Sequence, residues 1–384
     1  MKQETARPLH RGPLEISAIE TSSTDTGSST HRPPILAAVG MCALGFVLAA
    51  ALLHAAIGDT LRLHADLRSE KLAILDQWQG KAASAAFGSS HVHNGFDPRV
   101  FDGILAGTPL QTRSINLGIA GGSQSEQRVT ALEYLRHMEP PARSGTATES
   151  RACIVLLELN AGANFTTDHL VHPRAINIYD WQTARFETRL TDPAMGLRQK
   201  IGRIGFALAA MTLHYVNVGT LSSTIFAPSL DTASLESETE DDRRGVLQME
   251  PSPATQARLR GIVASRPARS VATPQDLLPG NRDLLDELQR ASPVGPIQFV
   301  YFIMPRLDDM TSYATYPDSI AYTGGTAPIL NLGLPDRYPQ LYVPKLWLDD
   351  AHLNPAGAAL ATSLLAQDLK SWTAAHGAPA RCGG

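Results

Sequence analysis

The chain is poor in cysteine, with only Cys42, Cys153 and Cys382 in 384 residues. Three scattered thiols are too few for a disulfide framework or a zinc site, so stability must come from an apolar core, in which Cys153 is expected to pack on a strand. Charge of one sign is lacking too. Lys and Arg number 33 against 37 Asp and Glu, a formal net charge of -4. Nothing here suits a nucleic-acid partner, which calls for a basic face. Clusters of Cys, His and carboxylates at ligand spacing are missing. His91 and His93 alternate as metal ligands on an extended segment can, but no further residues complete a set, so neither a metal nor another cofactor is expected. What remains, 43% hydrophobic and 18% charged residues, is ordinary for a folded protein of one large domain or two small ones.

Residues 1–33 are rich in Ser, Thr, Arg and Glu without apolar periodicity, and are expected to be a disordered tail. Residues 34–58 carry no formal charge, with only His54 polar. At about 1.5 Å per helical residue this segment reaches the roughly 30 Å of a bilayer core, which predicts one transmembrane anchor. A buried helix or a cleaved signal peptide is the alternative, and the long polar leader argues against the latter. Arg32 precedes the segment while Arg62, Arg68 and Lys71 follow it, so the local charges do not favour a domain outside the cytoplasm. Residues 59–82, with Leu61, Leu63, Leu67, Leu72 and Leu75 among charges, predict an amphipathic juxtamembrane helix that acts as a spacer.

The chemistry is expected within 83–101. A short apolar run ends at Phe87 and meets Gly88-Ser89-Ser90, the way a strand delivers a serine to a sheet edge. Glycine permits a sharp turn, and a serine opening the next turn can offer its amide to a developing oxyanion. Gly-Ser-Ser alone also suits an ordinary loop. A second stretch, 346–359, places Asp349 and His352 three residues apart, with Asp350 competing for the acid's role. A serine hydroxyl needs an imidazole to take its proton, and the imidazole needs a carboxylate to fix its tautomer. Together the two stretches supply all three.

Gly88-Ser89-Ser90 and Asp349-x-x-His352 resemble the first and last blocks of the SGNH (GDSL-like) hydrolase family, with Ser89 where many members carry aspartate. Asn116-Leu117-Gly118-Ile119-Ala120-Gly121-Gly122 resembles the family's glycine block. Glu158-Leu159-Asn160 lies where the family has Gly-x-Asn-Asp, so Asn160 matches while Glu158 and Ala161 depart. The resemblance covers roughly 83–368 with an unmatched middle. It implies Ser90 as nucleophile, His352 as base and Asp349 as its orienting acid, with the Ser90 and Gly121 amides and the Asn160 side chain as oxyanion hole. His91 or His93 would contact substrate at the rim.

The implied fold is α/β, a three-layer SGNH-like (flavodoxin-like) parallel sheet with helices on both faces, occupying 83–384 behind the anchor. The implied function is a membrane-anchored serine esterase or O-acyltransferase acting on acylated cell-surface polysaccharide. Its domain would face the periplasm or cell exterior, with a multi-pass membrane acyltransferase as partner. The altered third block keeps open a catalytically silent domain that binds glycan or scaffolds such a complex.

Periodicity supports the same fold class. Strands are expected at 113–117, 153–159, 297–304 and 328–332, and helices at 123–138 (with Val129, Leu132, Leu135 and Met138 on one side), 201–218 and 360–372. The recurrence of strand, turn and helix argues for parallel pairing with right-handed crossovers, and for ligand binding beyond the carboxyl ends of the strands. The apolar helix at 201–218 is expected to lie against the core, with a membrane-surface or partner contact as the alternative. Residues 231–292, acidic at Glu236 to Asp242 and proline-rich, read as a partly mobile insertion or lid in which only 281–290 looks helical.

Overall fold

The computed structural model describes residues 35–62, 68–138, 152–159, 177–191, 195–215, 244–247, 249–267 and 270–377. Contacts divide the chain into two units, 1–46 and 47–384. The tail at 1–33, the acidic run at 236–242 and Asn160 lie outside the described residues.

At the N-terminal end, α1 (Ile35–Arg62) is a 28-residue helix. Among the described residues no helix is long and apolar enough to cross a membrane, so the anchor expected over 34–58 is not supported by the structure. The expected spacer is helical at its two ends, within α1 and in α2 (Arg68–Gln77).

The domain is α/β, built on a mostly parallel mixed sheet. Its strands are β1 (Ser84–Phe87), β2 (Ser114–Asn116), β3 (Ile154–Glu158), β5 (Gln298–Ile303), β7 (Ser319–Tyr322) and β8 (Gly325–Asn331), in the order β2-β1-β3-β5-β8-β7. All pairings are parallel except β7 with β8. A separate parallel pair joins β4 (Val271–Pro274) and β6 (Ser312–Thr315).

Helices of the domain follow in chain order as α3 (Ser90–Gly95), α4 (Pro98–Leu105), α5 (Gln124–His137), α6 (Trp181–Arg189), α7 (Leu197–Tyr215), α8 (Pro253–Ala264), α9 (Pro279–Ala291) and α10 (Pro355–His376).

Strand residues alternate between two apolar clusters, as a sheet covered on both faces requires. Phe87, Val155, Leu157, Phe299 and Tyr301 pack with α2, α5 and α9 through Ile74, Tyr134 and Leu285. Ala86, Leu156, Val300 and Phe302 pack with α3, α4, α8 and α10 through Val92, Phe101, Leu259 and Leu365. Both clusters centre on β1, β3 and β5, whose continuous apolar runs are what a doubly buried parallel strand needs.

Three sequence expectations change in detail. In α5 the buried face is formed by Arg128, Ala131, Tyr134 and Leu135, while Val129, Leu132 and Met138 are only partly covered. Arg128 can sit inside because Glu287 and Thr183 neutralise and bond its guanidinium. In α7, Phe206, Ala207, Ala210 and His214 are buried against a small cluster with Tyr179 and Ala184, and Leu197, Ile201, Ile204 and Leu208 remain exposed. Within 231–292, α8 joins the expected helix α9, capped at Ser252 with Pro253 opening the first turn.

Cys153 is fully buried in the core beside β3, as expected, and is in addition disulfide-bonded, while Cys42 is free.

Candidate active site

The carboxyl ends of four parallel strands carry the candidate residues. After β1, Gly88 and Ser89 turn the chain into α3, whose first residue is Ser90. Ser89 caps that helix, its Oγ accepting from the His91 amide at 3.3 Å. Asn116, ending β2, holds α3 from below: its Nδ2 donates to the carbonyls of Val92 and Phe96, both at 2.8 Å, and its Oδ1 accepts from Gly118 N at 2.9 Å. From the far side, Thr362 of α10 donates to Gly95 O at 3.2 Å. A helix of six residues is too short to hold itself, and these side chains supply what its own ladder cannot.

Beyond β8 the chain reaches Asp349 and His352 through a tight loop. Trp347 and Leu353 form an antiparallel bridge, and Leu348 N donates to His352 O at 2.8 Å. Asn354 then caps α10, accepting from Gly357 N at 3.0 Å while donating to Lys345 O at 2.9 Å. The imidazole is therefore held from both sides in sequence.

The two ends of the domain meet. His352 Nε2 lies 2.8 Å from Ser90 Oγ, and His352 Nδ1 lies 3.0 Å from each oxygen of Asp349. A carboxylate can only accept, so Nδ1 carries the proton and Nε2 turns its lone pair to the serine hydroxyl. Asp349 Oδ1 also accepts from the amides of Ala351 and His352, both at 2.8 Å. Partial burial pushes this carboxyl up, but hydrogen bonds from the His352 ring and those two amides outweigh it and hold it below the ordinary aspartate value. Asp350 points elsewhere, 3.4 Å from Arg258 with both side chains mostly exposed.

Around Ser90 the remaining candidates separate. Gly121 has φ 62, in the left-handed region that a side chain would strain, within a turn stapled to the Gly88-Ser89-Ser90 turn by the bond from Ile119 N to Gly88 O at 2.9 Å. Among the described residues, the amides of Ser90 and Gly121 take no part in the cap and turn bonds around them. Asn160 lies outside the described residues. His91 stacks on His352 with ring centroids 5.5 Å apart and planes at 27°. His93 is buried, its carbonyl accepting from Leu247 N at 2.9 Å, and does not stand at the rim. Among the described residues no group of three or more His, Cys, Asp or Glu is placed to hold a metal.

Sequence reasoning singled out Glu158 only as a departure from a pattern. In the structure its carboxylate accepts from Ser89 N at 2.6 Å and lies 3.3 Å from His91 Nδ1. The one available signal was its position at the end of a buried strand, where an isolated carboxylate is costly.

A groove of about 940 Å³ among α5, α6 and α9 shares no residue with the triad. Its lining holds no Ser, Cys or His, and Arg128 and Arg189 are paired with Glu287 and Asp283. Compared with known proteins, the chain matches no family model, no curated sequence and no solved structure.

Proposed function

We propose that this protein is an SGNH-type serine ester hydrolase or O-acyltransferase. Ser90 attacks an ester carbonyl while His352 takes its proton, and Asp349 keeps the imidazole in the required tautomer and stabilises its charged form. The alcohol departs with the proton that His352 returns. An acyl group is left on Ser90, to be passed to water or to a second hydroxyl. The observation that carries the reading is the bond between His352 Nε2 and Ser90 Oγ at 2.8 Å, formed by residues 262 apart in the chain. The order β2-β1-β3-β5-β8 supports it as well, being the 2-1-3-4-5 order of flavodoxin-like sheets.

With this reading goes a location outside the cytoplasm, at a membrane, and acylated cell-surface polysaccharide as substrate, supplied in concert with a multi-pass membrane acyltransferase. The location draws on two features. In α1 the large described apolar side chains Val39, Met41, Leu44, Phe46 and Leu48 are uncovered. The disulfide at Cys153 suits an oxidising compartment.

A fluorophosphonate probe tests the chemistry, because it phosphonylates only an activated serine. Capture by the full-length protein, lost in Ser90→Ala and in His352→Ala, is the expected result. A folded wild-type chain that resists the probe would instead be a silent glycan-binding or scaffold domain.

A further inference from the structure

We propose that Glu158 is a positioning residue for the nucleophile: one buried carboxylate that ties down both neighbours of Ser90 and, through His91, seats the ring of His352. The proposal rests on the serine-enzyme reading above. Pairing of β1 with β3 sets Phe87 opposite Leu157, so the next residues out, Gly88 and Glu158, stand side by side at the sheet's edge. Glu158 is 5% exposed. Its Oε2 accepts from Ser89 N at 2.6 Å, and its Oε1 lies 3.3 Å from His91 Nδ1, which is also 3.0 Å from Ser89 Oγ. The amide before the nucleophile is thus bonded to a carboxylate on a strand that is itself flanked by β1 and β5, and the His91 ring after it stands within ion-pair distance of the same group.

Gly88 is what lets the carboxylate in. A Cβ at that position would lie 2.5 Å from Glu158 Oε2 and 2.4 Å from Val92 Cγ2, so the glycine at the head of the serine turn is matched to the acid across from it.

A proton on His91 Nδ1 meets acceptors in both Ser89 Oγ and Glu158 Oε1, and this favours one tautomer and one orientation of the ring. That ring stacks on His352, its plane tilted by 27° and its centroid 5.5 Å away. Rotation of the catalytic imidazole is therefore restricted from two directions: Asp349 fixes its Nδ1, and His91 covers one of its faces. The titratable groups facing His91 are Glu158 from β3 and His352, with Asp349 behind it, from the loop before α10. Gln127 of α5 completes the support by donating to Glu158 O at 3.2 Å.

The test uses the full-length chain and four measurements: the second-order rate of Ser90 phosphonylation, kcat and KM on an aryl acetate, the thermal midpoint, and the ring ¹⁵N shifts of His91. Glu158→Ala should slow phosphonylation and kcat by about 10²-fold, as expected when a reacting atom is misplaced by about 1 Å, with KM within about threefold. Glu158→Gln keeps the volume and an acceptor for Ser89 N, but sets an amide donor against His91 Nδ1. It should fold like wild type, move the His91 proton to Nε2, and lose about tenfold in rate. His91→Phe keeps a ring against His352 and drops the tie. Combined with Glu158→Gln it should cost no more than the worse single change, since both act through one contact.

Glu158→Gln with a wild-type midpoint and a wild-type rate would overturn the proposal, and it decides the matter even where Glu158→Ala does not fold. Wild-type protein that labels while the Glu158 variants label equally would remove the positioning role alone. Wild-type protein that never labels would remove the serine-enzyme reading and this one with it.

Discussion

Asp349→Asn separates orientation from mere presence at the triad. Three donors converge on Oδ1, namely the amides of Ala351 and His352 at 2.8 Å and the ring Nδ1 at 3.0 Å, while Oδ2 faces Nδ1 alone. Asparagine retains one oxygen, and the two amides claim it. Its nitrogen then replaces Oδ2 and presents a donor to Nδ1, so the imidazole proton moves to Nε2. There it points at Ser90 Oγ, and the base can no longer accept the serine's proton. A wrong tautomer costs a triad about 10⁴ in rate, or roughly 5 kcal/mol of transition-state stabilisation.

The fold should notice far less, because both backbone bonds survive. A loss below about 1 kcal/mol would shift the thermal midpoint by a few degrees at most. Asp349 titrates below its ordinary value in the folded protein, so its contribution to stability is present above about pH 4, where the unfolded carboxyl is also ionised, and is lost as pH falls through the lowered value. The small difference in midpoint between wild type and Asp349→Asn should accordingly be seen at pH 6 and fade at the acid end. The assay is kcat/KM on an aryl acetate beside the rate of phosphonylation, with Asp350→Asn as control at wild-type rates. Retention of more than a tenth of the wild-type rate by Asp349→Asn, or an equal fall in Asp350→Asn, would refute the reasoning.

Asp309 offers an independent check on burial. Desolvation pushes its carboxyl up to about 7, so the folded state holds the proton more tightly and stability falls as pH rises from about 4 to 7. Asp309→Asn keeps an acceptor for Arg306 N and the Tyr342 hydroxyl, both of which use Oδ2, and should melt several degrees above wild type at pH 8 but level with it at pH 4. Equal midpoints at pH 8 would count against it. Alkylation in denaturant should modify one thiol before reduction and three after, because Cys153 is bonded and Cys42 free. Three reactive thiols without reductant would remove the disulfide.

The triad was legible because its parts are local. A turn glycine with serine, and an acid three residues before a histidine, are short patterns that survive being read alone, and the strand runs 297–304 and 153–159 announce a sheet by composition. What escaped depends on partners distant in sequence. Arg128 reads as a solvated residue until Glu287, 159 positions later, arrives to pair with it, and this rotates the packed face of α5 away from its apolar stripe. Glu158 gains meaning only when β1 and β3 align and bring Gly88 beside it. The choice between Asp349 and Asp350 could not be made from spacing, since one turn can present either, and it falls to Arg258 drawing Asp350 outward. Helix α8 buries little beyond Leu259 and so shows no apolar period, although Ser252 followed by Pro253 was a readable start signal.

The measurement that bears most directly on the convergence of Ser90 with His352 is the mass of the full-length protein after exposure to a fluorophosphonate, followed by mapping of the modified peptide. One phosphonyl adduct, located on Ser90 and abolished by His352→Ala in a protein that still melts cooperatively, is the result expected. An adduct on another residue, or an equal yield when His352 is gone, would contradict it.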